Sequence, residues 1–393
     1  MTDQICIRSD LAGKTESPLA APAVPSDDVS RKLISIWEQI LGTEPIGPDQ
    51  NYFDLGGDSS LAVRIFAQIE EIFNIKLPLA TLYEAPTVNE LAAILRGEIS
   101  ESRWSPLVTI QPSGQRPPLF LMHGAGGNVL NYRDLSKHLG SDQPFYGLQC
   151  LGLDGQCPPL TKIEEMASLY VKEIRRQQPH GPYFLGGYCM GGTVAYEVAQ
   201  QLTADGETVA LLALFDTLNW YKIPLNVWTK GSHAFQQWVF HAAGFLSLDS
   251  AGKARFLREK FAALRSRIPV WQGMLLSKFG RNSRGATSAA RLYADIWTTN
   301  DRASWRYVPK PYPGRVLDIR PKQQYRVFDK PDLKWDQLAQ GGQETVVLPV
   351  YPGSMLVEPF VTRLAEALRK CLDEAIEASR SALDHASNER SFS

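Results

Sequence analysis

The hydrophobic pattern of the chain changes its period near residue 118, and this change constrains the fold more than any other feature of the sequence. Before it, residues 27–96 carry apolar side chains at helical spacing, which predicts a small bundle of amphipathic helices. Beyond it, short apolar runs alternate with helical stretches, which is typical of a parallel sheet covered by helices. The predicted class is therefore α + α/β: a small helical bundle followed by an α/β domain. The expected strands are Leu119–Met122, Phe145–Leu148, Tyr183–Leu185, Leu211–Phe215, Val316–Ile319 and Thr345–Val350.

Composition marks the boundaries of these domains. Prolines among Ala and Ser without a periodic pattern indicate a flexible start, and a stretch rich in Ser, Gly and Pro indicates a linker. Inside the α/β domain the strand signals stop, and a Trp- and Phe-rich helical segment indicates an inserted lid. The expected segments are a leader (1–26), the helical bundle (27–97), a linker (98–117), the α/β domain (118–372) with its lid (about 220–305), and a polar C-terminal tail (373–393).

Charge and hydropathy exclude several functional classes. Lys plus Arg is 41 and Asp plus Glu is 42, a net charge of −1, so the chain lacks the basic excess that binds a phosphate backbone, and we expect no nucleic-acid partner. The longest apolar run, Val209–Phe215, has seven residues, where a membrane span needs about 20. The five cysteines match no disulfide framework. Because the N-terminal region also lacks a signal peptide, we expect a cytoplasmic protein without a membrane span.

The first chemical motif is Leu55-Gly56-Gly57-Asp58-Ser59-Ser60, directly before the predicted second helix of the bundle. Two glycines allow a tight turn, and the backbone amides and dipole of a helix N-terminus favour a phosphate. A phosphate linked to Ser59 would fit there. The alternative is that Ser59 or Ser60 only caps the helix.

Together with the segment Asn51-Tyr52-Phe53-Asp54 and the apolar helix that follows, this motif resembles the acyl or peptidyl carrier proteins of nonribosomal peptide and polyketide assembly lines. The resemblance covers residues 27–96. It implies a phosphopantetheine carrier domain whose cofactor, 4′-phosphopantetheine, is attached covalently to Ser59, with Asp58 beside it and Ser60 as the less favoured site. It also implies a phosphopantetheinyl transferase as a partner. Such a long flexible thiol keeps its acyl cargo at high effective concentration near each enzyme.

The second motif, Gly187-Tyr188-Cys189-Met190-Gly191-Gly192, lies between a predicted strand and a predicted helix. This is the context of a nucleophile elbow, with cysteine where G-x-S-x-G has serine. Cys189 is therefore the candidate nucleophile, and the helix N-terminus is expected to stabilise its thiolate. The alternative is a buried structural cysteine in a glycine-rich turn.

Two further elements complete the candidate site. The run His123-Gly124-Ala125-Gly126-Gly127 follows the predicted strand 119–122, where α/β-hydrolases place one oxyanion amide. Ala125 and Met190 are the expected oxyanion donors. Asp216 directly follows the predicted strand 211–215 and can supply the acid of the site. The alternative is that this Asp only caps the end of the strand, which is about as common at such a position.

With Ser105–Val108 and Gln111–Gly114, these motifs resemble the type I thioesterase domain that ends such assembly lines. The resemblance runs from 105 to 372 and implies an α/β-hydrolase domain, with a lid, that takes an acyl group from the carrier thiol and passes it to an acceptor. The family's catalytic histidine, expected in a G-x-H-x-x-M-L-x-x-P segment, is missing from Tyr351–Pro359, which reads YPGSMLVEP. His123, the histidine nearest the oxyanion turn, is the best of the candidates for a replacement base.

The cysteine and the missing histidine together predict acyl transfer in preference to hydrolysis. A thiolate attacks a thioester unaided, whereas water needs a general base, whose loss typically costs about 10²–10⁴ in rate. Two alternatives stay open: an acyl-shuttling transferase between carrier proteins, and a catalytically inactive carrier-binding scaffold. The sequence shows no adenylation or condensation segment, so either a separate acyl-activating or upstream assembly-line enzyme loads the acyl group, or this chain is a fragment of a longer one. The acyl acceptor stays open between water, an amine, a thiol and an internal nucleophile, with amines and thiols favoured over water. The starting Met1 favours a free-standing protein.

Overall fold

The computed structural model describes residues 26–99, 104–220, 288–322, 335–350 and 353–391. These residues form two compact units. Those up to Trp104, together with 154–158, belong to the first unit, and Ser105–Leu153 with the residues from Pro159 onward belong to the second. The first unit is helical, and the second is built around a β-sheet.

The described part of the first unit is the predicted helical bundle. Its helices are α1 (Ser26–Leu41), α2 (Ser59–Phe73), α3 (Thr81–Glu84) and α4 (Val88–Leu95). α1 contacts both α2 and α4, because its apolar face must be covered. α4 begins with a capping box, in which the Thr87 hydroxyl accepts a hydrogen bond from the Glu90 backbone N–H and the Glu90 carboxylate accepts one from Thr87. The core includes Leu33, Ile36, Trp37, Ile65, Ile69 and Leu91.

The second unit contains a seven-stranded sheet in the order β1-β3-β2-β4-β5-β6-β7. β1 runs antiparallel to β3, and the other neighbouring strands are parallel. The strands are β1 (Leu107–Gln111), β2 (Leu119–Met122), β3 (Phe145–Leu148), β4 (Tyr183–Tyr188), β5 (Val209–Phe215), β6 (Val316–Pro321) and β7 (Gln343–Leu348). The described helices are α5 (Arg133–Leu139), α6 (Ile163–Gln177), α7 (Met190–Ala204), α8 (Ser288–Arg306) and α9 (Val361–Ser391).

The central strands β2, β4 and β5 form the core of the sheet, and their near-continuous apolar runs are almost entirely buried. α7 packs on all three. Because parallel strands end at the same edge of a sheet, the residues that follow these strands are brought to one place. The predicted α + α/β class is confirmed, and its sheet edge brings together the turn after β2, Cys189 and Asp216.

Two predicted boundaries differ from the structure. Strand β1 lies inside the expected linker 98–117. It is a sheet edge with only one buried residue, Val108, so its hydrophobic signal is weak. The expected polar tail 373–393 continues helix α9, which runs to Ser391 and buries Ile376. A narrow apolar stripe on an otherwise polar helix explains why composition alone indicated a tail.

Of the predicted lid, the structure describes Trp220 and α8, while residues 221–287 lie outside the described part of the chain, as do residues 1–25 of the leader. Within the described ranges, no helix has the length and apolar character of a membrane span. Cys150, Cys189 and Cys371 are free thiols. Cys157 is disulfide-bonded, an outcome that the sparse cysteine count does not predict.

Candidate functional site

The GGDSS motif forms the entry to helix α2, and Asp58 is the residue that caps it. The Asp58 carboxylate accepts a hydrogen bond from the Leu61 backbone N–H at 2.8 Å, and its carbonyl accepts one from Ala62 at 2.9 Å. Ser59 and Ser60 are thus the first two helical residues. The capping role considered for these serines is therefore filled by Asp58.

The same geometry fits a phosphate-linked group on Ser59. The first backbone N–H groups of a helix have no partner within the helix, and they point toward its N-terminus. Asp58 and Gly56 are exposed, so the motif lies at the surface of its unit. The backbone of Ser59 is therefore close to the positive end of the helix dipole.

The second site is built around the sharp turn from β4 into α7. Cys189 has φ 56° and ψ −122°, a backbone conformation that costs about 1–3 kcal/mol for a non-glycine residue. Its N–H donates to Phe215 O at 2.9 Å, which ties the turn to the neighbouring strand β5. The strand, strained turn and helix that the sequence predicts are therefore present, while the role of Cys189 as nucleophile stays a prediction.

The glycines of the motif make this turn possible. A Cβ on Gly187 would lie 2.2 Å from the backbone of Gly191, and a Cβ on Gly191 would lie 2.2 Å from Met122 O. A Cβ on Gly192 would meet the Thr217 hydroxyl at 2.0 Å. Because real Cβ atoms do not approach other atoms so closely, helix α7 can begin against the strand ends only with glycine at these positions.

The turn after β2 lies beside the elbow and is held by α8. The Asn300 side-chain amide, fully buried, donates to Ala125 O at 3.0 Å, and Gly127 N donates to Gly124 O at 2.9 Å. Sequence reasoning missed Asn300, since nothing in its local sequence distinguishes it from other polar residues of a helix. The roles of Ala125 and Met190 as oxyanion donors stay predictions.

His123 is a structural residue of this turn, so its expected role as a replacement base is wrong. It is fully buried, its Nδ1 lies 2.7 Å from Gly124 O, and its Nε2 lies 2.7 Å from the Tyr170 hydroxyl. Burial lowers the pKa of His123 from 6.5 to about 4, so the ring is neutral at physiological pH. Because a carbonyl oxygen only accepts, Nδ1 donates to Gly124 O, and the Tyr170 hydroxyl that contacts Nε2 also lies 3.1 Å from Gln149 O.

The other described histidines contact carboxylates away from the elbow. His138 lies 2.7 Å from Glu358, and His180 lies 3.2 Å from Glu207. His233 and His241 lie outside the described residues, as does the side chain of His385. Among the described residues, no histidine follows β7 where the thioesterase resemblance would place it, since the segment there reads Gly353-Ser354-Met355-Leu356.

Asp216 lies at the end of β5, next to Cys189 along the sheet edge. It has φ 45°, and its N–H donates to Ile319 O at 2.8 Å. Its carboxylate accepts a hydrogen bond from the Gly353 backbone N–H at 3.4 Å, so it faces the segment where the histidine is missing. The pKa of Asp216 is raised from 3.8 to about 6, and burial is the largest cause. The hydrogen bond from the Gly353 N–H lowers this pKa, and the negative charge of Asp318 raises it.

The surroundings of the Cys189 thiol raise its pKa, which opposes the expected thiolate. The residue is exposed, yet desolvation is the largest cause that raises the pKa of Cys189 from 9.0 to about 12. The charges of Asp216 and Asp301 raise the pKa further, while a hydrogen bond from the Met190 backbone N–H lowers it. The favourable helix N-terminus is therefore outweighed by burial and by two carboxylates.

Comparisons with known proteins agree with this fold. The phosphopantetheine attachment site family matches residues 31–95, and the thioesterase domain family matches residues 117–235. Over 202 residues the chain is 43% identical to malpibaldin synthetase of Mortierella alpina, which covers 51% of this chain and 4% of that protein. Over 206 residues it is 39% identical to a dimodular nonribosomal peptide synthase of Bacillus subtilis (strain 168), which covers 52% of this chain and 8% of that protein.

A solved structure extends this similarity over both units. The four-domain nonribosomal peptide synthetase holo-AB3403, bound to AMP and glycine, is 27% identical with a TM-score of 0.53, over 92% of this chain and 27% of that one. The chain thus spans only a small part of the length of its relatives.

Fold and family matches together define a fusion of a carrier domain with a thioesterase domain of the α/β-hydrolase type. The carrier domain indicates covalently attached 4′-phosphopantetheine and implies a phosphopantetheinyl transferase as a partner. More particularly, the relatives that this chain resembles over about half of its length include nonribosomal peptide synthetases.

Proposed function

We propose that the protein takes an acyl or peptidyl group from a phosphopantetheine arm on Ser59 onto Cys189, and then transfers it to an acceptor other than water. The observation that carries this proposal is the placement of Cys189 in a strained elbow between β4 and α7, one strand away from Asp216. A strained backbone at a strand end is a feature that persists where a function needs it.

In the first half-reaction, Asp216 accepts the thiol proton. With a pKa of about 6, its carboxylate is ionised at neutral pH, and its charge acts directly on the Cys189 thiol. The sulfur attacks the thioester carbonyl, the backbone N–H groups of Ala125 and Met190 stabilise the oxyanion, and the pantetheine sulfur leaves with the proton that Asp216 returns. The products are acyl-Cys189 and the free pantetheine thiol.

In the second half-reaction, the acidic surroundings of the sulfur favour an amine as acceptor. Asp216 and Asp301 both place negative charge near Cys189, which attracts a protonated amine and gives no comparable benefit to neutral water. The protonated amine first releases one proton to solvent, and the neutral amine attacks the acyl carbon while Asp216 accepts a second proton from its nitrogen. The carbon–sulfur bond then breaks, and Asp216 passes that proton to the sulfur. An amide and free Cys189 result.

The test is a single-turnover competition between water and amine. The full chain is loaded at Ser59 with an acyl-pantetheine and mixed with glycinamide, and amide and free acid are measured by mass spectrometry. We expect amide as the main product of the wild-type protein and no amide from Cys189→Ala. Cys371→Ala, which removes a different free thiol of the same domain, should give the same products as the wild type. Free acid as the main product in the presence of glycinamide would contradict transfer to an acceptor other than water.

A specific observation also favours the inactive scaffold as a second candidate. The pKa of Cys189 is raised to about 12, and a protonated thiol is a weak nucleophile. In that case the thioesterase domain binds the loaded carrier without forming a covalent bond. A loaded chain that never shows acyl mass on the peptide containing Cys189, while retaining acyl mass on Ser59, would identify this function.

A further inference from the structure

Tyr52 is buried beneath the loop that carries the modification motif. Its backbone N–H donates to Pro86 O at 2.7 Å, and its carbonyl accepts from Gly57 N at 3.0 Å. The ring, fully buried, meets Trp37 edge to face at 5.4 Å between centroids. The side chain therefore has one fixed position under the loop.

Gly57, the second glycine of the motif, shows how closely the loop packs against the Tyr52 ring. A Cβ on Gly57 would lie 2.3 Å from the Tyr52 ring carbon that bears the hydroxyl. Any other residue at position 57 would push the ring and the loop apart. Gly57 and Tyr52 thus form one packed unit directly before α2.

The Tyr52 hydroxyl acts on the peptide that leads into Ser59. It donates to Asp58 O at 2.6 Å, and the same oxygen accepts from Ala62 N at 2.9 Å. Because a peptide group is planar, holding the Asp58 carbonyl also fixes the direction of the Ser59 N–H and the start of the helix. Burial raises the pKa of Tyr52 well above 10.0, so the hydroxyl keeps the proton it donates.

We propose that the Tyr52 hydroxyl is a positioning residue for phosphopantetheinylation, which orients Ser59 through the carbonyl of Asp58. This inference rests on the proposed attachment of the cofactor at Ser59. It concerns the hydroxyl alone, since a phenylalanine at position 52 keeps the ring contacts with Trp37 and Gly57. The Asp58 carbonyl then still has the Ala62 N–H as a partner, so the fold loses little.

The experiment compares modification rates of the full apo protein by a phosphopantetheinyl transferase with coenzyme A. The variants are Tyr52→Phe, Ser59→Ala and, as a matched control, Tyr83→Phe, which removes the hydroxyl of a half-buried tyrosine whose ring faces Phe53 in the same domain. The gain in mass is followed at a temperature where circular dichroism shows every variant folded, and kcat and KM for the carrier are obtained separately.

For Tyr52→Phe we expect kcat to fall about 10-fold with KM unchanged, because the hydroxyl orients the attacking serine and not the docking surface. Tyr83→Phe is expected to be modified at the wild-type rate. An unchanged kcat for Tyr52→Phe, or a loss confined to KM, overturns the inference. A wild-type chain that gains no mass, or a Ser59→Ala chain that still gains it, overturns instead the attachment at Ser59.

Discussion

Replacing Asp216 by Asn is expected to make the Cys189 thiol more reactive toward a small electrophile while slowing its acylation by the carrier. Alkylating agents react with the thiolate. After burial, the charge of Asp216 is the largest cause that raises the pKa of Cys189, and Asn keeps the shape of the side chain without that charge. Acyl transfer, in contrast, needs Asp216 as proton acceptor.

The two effects differ in sign and in size. With a pKa of about 12, roughly one Cys189 thiol in 10⁴ is ionised at pH 8, and the alkylation rate rises about tenfold per pH unit. Removing a nearby negative charge is expected to raise that rate about threefold to tenfold at pH 8. Loss of the general base is expected to slow acyl transfer by about 10²–10⁴.

The assay follows iodoacetamide labelling of the peptide that contains Cys189, with the buried thiols Cys150 and Cys371 as internal references. Asp295→Asn, a substitution of an exposed residue of α8, is the matched control and should leave both rates unchanged. Equal or slower alkylation of Asp216→Asn between pH 7 and 10 would refute the claim that this carboxylate acts on the thiol. Faster alkylation with unchanged acylation would refute its role as base.

Three further predictions concern stability and the oxyanion turn. Burial raises the pKa of Asp216 to about 6, so the folded state holds this proton more tightly than the unfolded state does. As the pH rises from 4 to 6, the free energy of unfolding therefore falls by up to about 3 kcal/mol. Asp216→Asn lacks this titration, so in urea unfolding it should be more stable than the wild type at pH 7 but not at pH 4. Asn300→Ala leaves the half-buried Ala125 carbonyl without this donor, which should lower the free energy of unfolding by about 1 kcal/mol; an unchanged urea midpoint would contradict this. Gly191→Ala forces a Cβ to 2.2 Å from Met122 O and should abolish acylation of Cys189, measured by mass spectrometry. A Gly206→Ala control, where φ is 84° and an alanine is strained but meets no neighbouring atom, should not.

The elbow could be predicted from the sequence because its signals are local. The strand, the glycines and the helix all lie within a few residues of Cys189, and each glycine has a backbone reason to be there. Asp216 was predictable for the same reason, since it directly follows a seven-residue apolar strand.

What the sequence could not provide depends on residues distant along the chain. The Asn300 amide meets Ala125 across 175 positions, and His123 meets Tyr170 across 47, so the first was missed and the second was misread as a base. The raised pKa of Cys189 depends on how closely the folded chain brings Asp216 and Asp301 to the sulfur. Strand β1 escaped prediction because an exposed edge strand needs little apolar character.

The most direct test of the account is the covalent state of Cys189 after the carrier has been loaded. The full chain is converted to its acyl-pantetheinyl form, quenched in acid within seconds, and digested for peptide mass spectrometry. The account predicts that the acyl mass moves from the peptide containing Ser59 to the peptide containing Cys189, and that it stays on the first peptide in Cys189→Ala. An acyl group that leaves the carrier at the same rate in both proteins would contradict it.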